Sequence, residues 1–107
     1  MTVGELRVGD RVLVTDEKGF IQEPERWDRE VAAALAREER VAELTAEHWR
    51  VIEFVRKHYH KHQLAPMIRV LCRETRFDLR KMLQLFPTGP AQGACKVAGL
   101  PKPTGCL

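Results

Sequence analysis

Cys95 and Cys106 are the residues of this 107-residue chain best suited to covalent chemistry. Both lie in residues 87–107, PTGPAQGACKVAGLPKPTGCL, a stretch with four of the six prolines, four of the seven glycines and no acidic side chain. Cys106 is the next-to-last residue, and Gly105, Pro103 and Pro101 before it disfavour helix and let the backbone extend. The stretch is therefore expected to be a movable arm with a sulfur at its tip. Pro90 suits the first position of a short helix, residues 91–98 can propagate it, and Gly99 suits its left-handed cap. Cys95 would then be fixed while Cys106 travels. Ten residues separate the two thiols, and a turn at Gly99, Leu100 and Pro101 can bring their Cα atoms to the roughly 5.5 Å that a disulfide needs. Lys96 and Lys102 would favour a thiolate at either position, while the terminal carboxylate beside Cys106 opposes it. A structural disulfide pinning a tail, or two unrelated thiols, is the other reading and would suit a secreted chain; with no signal peptide visible and a third cysteine left over, the residues favour a redox-active or sulfur-carrying pair.

The elements that position these thiols can be read upstream. Residues 5–22 have the pattern of a β-hairpin, with Val8, Val12 and Val14 at even spacing and a turn over residues 16–19 before Phe20 and Ile21 return. A helix is expected over residues 25–40, with Trp27 as a core anchor, Val31, Ala34, Leu35 and Glu38 at helical spacing, and Asp28 and Glu30 near its start. Thr45 is a good N-cap for a helix over residues 46–60, whose apolar stripe is Trp49, Ile52, Val55 and Tyr59, widened by Val51 and Phe54. After a tight connection at 63–65, Pro66 is expected to open the next helix, with Met67, Val70 and Leu71 facing inward. Leu79, Met82, Leu83 and Phe86 form a last stripe, which Pro87 ends.

Helix, short turn and helix resemble the pattern of DNA readers. Arg69, Arg73, Arg76 and Arg80 recur at intervals of four, three and four, so on one unbroken helix they would share a face able to neutralise phosphates or dock an acidic protein. Nucleic acid is nonetheless a secondary expectation, since no base-reading pattern accompanies the stripe. His58 and His62 stand at i and i+4, yet no further ligand is evident and Lys57 and Lys61 would repel a cation, so no metal is expected. Cys72 reads as a small buried hydrophobe.

The run GPAQGACKVAGLPKPTGC (residues 89–106) closely resembles the C-terminal signature of the DsrC/TusE family, also called the dissimilatory sulfite reductase gamma subunit family. The resemblance extends through LTAEHWRVIEFVRKHYHKHQLAPMIRVL (residues 44–71) and LFPTGP (residues 85–90), and more weakly toward the N-terminus. It implies that Cys106 is the sulfur acceptor. It also implies that Cys95 is the resolving thiol of the two-cysteine, DsrC-like branch, which distinguishes that branch from the TusE-like relay toward tRNA 2-thiouridine. The arm residues would be Lys96, Gly99, Pro101, Lys102, Pro103 and Gly105. Implied partners are sulfurtransferases or other sulfur-donor proteins, a sulfur-processing redox enzyme of sulfur oxidation or sulfite reduction, and a reductase for the disulfide or trisulfide. The same resemblance implies a connection between Pro66 and Leu85 longer than the segment RETRFDLRKMLQ (residues 73–84) provides here.

The expected fold is α+β and mostly α: a hairpin (1–22) packed on a small orthogonal helical bundle with a helix-turn-helix-like core (25–86), and a flexible arm (87–107), in one domain. With 44% hydrophobic and 31% charged residues, the composition is that of a globular protein. No apolar run approaches the ~20 residues of a membrane span. The start MTVGELRVGDR has neither an apolar targeting core nor twin arginines, so a cytoplasmic address without membrane insertion is expected. Residues 1–40 carry seven Lys/Arg against ten Asp/Glu, and residues 41–107 eleven against five, which gives the C-terminal part a basic surface for an acidic partner. No phosphate-binding loop, nucleophile elbow or CxxC occurs. The expectation is a protein co-substrate without a cofactor rather than an enzyme; a DNA-binding regulator with a cysteine redox switch is the expectation from a different class.

Overall fold

The computed structural model describes residues 4–100. Strands β1 (Gly4–Val8) and β2 (Arg11–Thr15) form an antiparallel hairpin in which Leu6 faces Leu13 and Val8 faces Arg11. The hairpin turns at Gly9 and Asp10, where Gly9 adopts φ +61. Residues 16–19 make a second turn, which returns Ile21 to bridge Thr15. This corrects the expected parity. With the first turn at Gly9, Leu6, Val8 and Leu13 point into the core, while Val12 and Val14 lie on the outer face, 41% and 43% exposed.

The first expected helix is broken near its start. Pro24–Arg26 form a single 3-10 turn, Trp27 is extended, and α1 spans Arg29–Glu38. Asp28 causes the break, because its carboxylate caps the Val31 amide at 3.0 Å and a cap residue lies outside the helix it starts. Helix α1 buries Val31, Ala32, Ala34, Leu35 and Ala36, while Glu38 is exposed.

Helix α2 (Ala46–His62) starts at Thr45 as expected and runs two residues longer than expected. The cap is reciprocal: the Thr45 hydroxyl accepts from the His48 amide, and His48 Nδ1 accepts from the Thr45 amide at 3.1 Å. His48 Nε2 lies 2.9 Å from the Leu85 carbonyl, an acceptor, so Nε2 carries the proton. Val51, Ile52 and Val55 are fully buried, flanked by half-buried Trp49, Phe54 and Tyr59.

Helix α3 (Ile68–Thr75) begins two residues after Pro66, with Met67 as its cap and 53% exposed rather than inward-facing. Arg76 then turns left-handed at φ +65, and Asp78 caps α4 (Leu79–Leu85) through the Lys81 amide at 2.8 Å. Of the last apolar stripe, Met82 and Phe86 are buried while Leu79 and Leu83 are exposed.

Helix α5 (Pro90–Val97) follows the expectation from Pro90 and Gly99 closely. Gly99 adopts φ +74, its amide donates to the Lys96 carbonyl at 3.0 Å, and the Leu100 amide donates to the Cys95 carbonyl at 3.1 Å. These are the two bonds of a Schellman cap. The helix packs against α1, α2 and α4 together. Residues 94–100, grouped with the tail in the sequence, are thus part of the core: Ala94, Cys95, Val97, Ala98 and Leu100 are all buried.

Candidate functional site

Cys95 lies inside the core, 1% exposed. Burial among apolar groups pushes its thiol up to about 12, because a thiolate there would have no solvation. Lys96 does not offset this, contrary to expectation. Its ammonium pairs with the buried Glu39 carboxylate at 2.7 Å and lies over the Phe20 ring. Glu39 also accepts from the Thr88 hydroxyl. The charge next to Cys95 in sequence is therefore spent fastening α5 to the end of α1.

At the end of the helix, two side chains hold its last carbonyls. Trp27 Nε1 donates to the Val97 carbonyl at 2.9 Å, and Arg56 of α2 donates to the Ala98 carbonyl at 2.6 Å. The Arg56 guanidinium lies 3.9 Å over the Trp27 ring, a cation–π contact. Gly99 is needed here twice. Its positive φ disfavours a side chain, and a Cβ would overlap the Trp27 indole. A groove of about 840 Å³ opens beside this point, lined among others by Trp27, Arg56, Tyr59, Gly99 and Leu100. The sequence reads Trp27 as a core anchor and assigns no role to Arg56 or Glu39. The basic residue on a half-buried position of α2 was the available signal for Arg56, but its partner, a backbone carbonyl 42 residues away, leaves no mark in sequence.

Cys106, Pro101, Lys102, Pro103 and Gly105 lie outside the described residues. Cys72 is half-buried on α3, with burial raising its thiol and Asp78 adding to the effect. The four arginines do not share one helix face: Arg69 and Arg73 are on α3, Arg76 is its left-handed end, and Arg80 belongs to α4. The Thr75 hydroxyl, bonded back to the Leu71 carbonyl at 2.7 Å, and the Asp78 cap end one helix and begin another between them. His58 Nδ1 donates to the Leu64 carbonyl at 3.1 Å, and its ring lies 4.5 Å from that of His62. Among the described residues no three His, Cys, Asp or Glu side chains gather as a metal site, and no helix is long and apolar enough to cross a membrane.

A hairpin, five helices and a thiol buried in the last of them make this a small, mostly helical α+β protein. The family model described as DsrC like protein matches residues 7–107, and the chain belongs to that family. It is 41% identical over 105 residues to the gamma subunit of the dissimilatory-type sulfite reductase of Nitratidesulfovibrio vulgaris, covering 98% of this chain and 100% of that one. It is also 41% identical over 102 residues to the sulfurtransferase TusE of Salmonella paratyphi A, covering 89% and 93% respectively. The crystal structure of the oxidised gamma-subunit of the dissimilatory sulfite reductase (DsrC) from Archaeoglobus fulgidus matches with a TM-score of 0.84 and 45% identity, over 97% of this chain and 100% of that one. The alignment to the N. vulgaris subunit uses every residue of that protein and nearly every residue of this one, so the expected longer segment before Leu85 is absent from it. The TusE alignment draws on fewer residues of this chain than it has positions, so that relative carries several residues that this chain lacks.

Proposed function

We propose that this protein is a sulfur carrier of one domain, acting as a co-substrate in the cytoplasm, with Cys106 as acceptor and Cys95 as resolving thiol. The Cys106 thiolate attacks the outer sulfur of a donor persulfide and leaves with it, releasing the donor thiol. Cys95 then attacks Cys106 Sγ and expels the carried sulfur as hydrosulfide, forming a disulfide without external electrons. Alternatively, Cys95 bonds to the carried sulfur itself. That trisulfide forms with loss of two electrons, taken up by the partner redox enzyme, and a reductase returns them. Partners fitting this scheme are a sulfur-donor protein and a sulfite-reducing or sulfur-oxidising enzyme.

The observation that carries this reading is the position of Cys95 on α5, one Schellman turn before the glycine- and proline-rich segment that holds Cys106. The ungapped match to a sulfite reductase gamma subunit favours the two-cysteine scheme. A TusE-like relay toward tRNA thiolation shares the first step and dispenses with Cys95.

Intact-mass spectrometry after incubation with a persulfide donor tests both. The expected result is a gain of one sulfur, about 32 Da, lost in Cys106→Ser. Cys95→Ser should still load but never close to a disulfide or trisulfide. Equal loading of Cys106→Ser would overturn the proposal, and turnover indifferent to Cys95→Ser would leave the TusE-like relay.

A further inference from the structure

Cys95 reacts in the proposed scheme, yet it is 1% exposed in a packed core. Something must open. The Lys96–Glu39 pair holds α5 to α1 with both side chains mostly buried. The remaining bonds act on the backbone of the helix's last turn, the turn that also carries Lys96. The Trp27 indole holds the Val97 carbonyl, Arg56 holds the Ala98 carbonyl, and the two Schellman bonds tie Gly99 and Leu100 back to Lys96 and Cys95. Leu100, immediately before the C-terminal segment, is itself buried at 6% exposure.

We infer that Trp27 and Arg56 form a latch on the last turn of α5, and that Cys95 becomes reactive only when this turn is released locally while the rest of the fold stays closed. Trp27 and Arg56 are positioning residues; neither touches the sulfur. The segment bearing Cys106 follows directly on Leu100, so a partner that pulls on that segment pulls on Leu100 and, through it, on the two latched carbonyls. Docking is thereby coupled to exposure of the second thiol.

This inference rests on Cys95 being a reacting thiol, but its test does not depend on sulfur transfer. Cys106→Ser protein is alkylated with iodoacetamide, and the labelling of Cys95 and Cys72 is followed separately by peptide mass spectrometry, with and without Trp27→Phe or Arg56→Met. Half-buried Cys72, on α3, reports general loosening. Losing one hydrogen bond to a latched carbonyl should speed Cys95 labelling on the order of tenfold and leave Cys72 unchanged. Arg56→Lys, which keeps a donor, should restore part of the protection. In the unsubstituted latch, Cys95 labelling should depend only weakly on low urea, as a local opening does. Equal acceleration of both thiols, no acceleration of Cys95, or a urea dependence as steep as that of global unfolding would each overturn the latch. Sulfur loading could fail entirely and leave these results intact.

Discussion

The Cys95 thiol keeps its proton up to about 12 in the folded protein, against an ordinary 9.0. Because the folded value is raised, its burial contributes full stability below the unfolded value, and that contribution fades as pH climbs from 9.0 toward about 12. Cys95→Ala removes this dependence, so the advantage of the unsubstituted protein over Cys95→Ala in melting curves should shrink as pH rises through that window. Gly99 makes a second test at this scale. Gly99→Ala must take a left-handed conformation, at about 1–2 kcal/mol, and must also displace the Trp27 indole. Gly9 shares the positive φ but faces open space. Urea titration should therefore show Gly99→Ala losing clearly more stability than Gly9→Ala, by at least about 1 kcal/mol.

Helix ends dominate the element scale. Thr45→Ala removes half of the reciprocal cap with His48 and should lower stability by about 1 kcal/mol in chemical unfolding. That cap was legible because Ser, Thr, Asp and Asn before an apolar-periodic run have a local mechanism; Pro90 and Gly99 delimited α5 for the same kind of reason. Asp28 carries the same signal but sits inside a longer periodic pattern, which favoured a helix from residue 25 where a 3-10 turn precedes a helix capped by Asp28; Asp78 caps a new helix at the point through which one helix would have to run for the arginines to align. The arginine spacing of four, three and four was real in sequence and lost in space at Arg76, whose left-handed turn no local propensity announces. The hairpin was legible as a hairpin; its parity was not, since both Gly9–Asp10 and residues 16–19 are sound turns and the core decides which reverses the strand.

For the molecule as a whole, one tie on the thiol-bearing helix is the Glu39–Lys96 pair, which joins the end of α1 to α5 across 57 residues of sequence. Removing one partner leaves the other charge stranded. Lys96→Met or Glu39→Leu alone should each cost about 3–5 kcal/mol, and the double substitution distinctly less than either. Denaturant unfolding of the four proteins gives the coupling directly. None of this was visible in sequence, where Lys96 counted as a neighbour of Cys95 and Glu39 as one of many surface carboxylates. Trp27, by contrast, is one of only two tryptophans, meeting the other, Trp49, edge-on at 6.4 Å. Its indole is capped by a guanidinium and hydrogen-bonded to the carbonyl that must let go before Cys95 can react. In a Trp49→Phe protein the remaining emission comes from that indole alone, and alkylating Cys95 should shift it to the red and open it to acrylamide quenching. The fold thus carries its own fluorophore at the place where it opens, so each engagement of a partner can be timed optically without attaching a label.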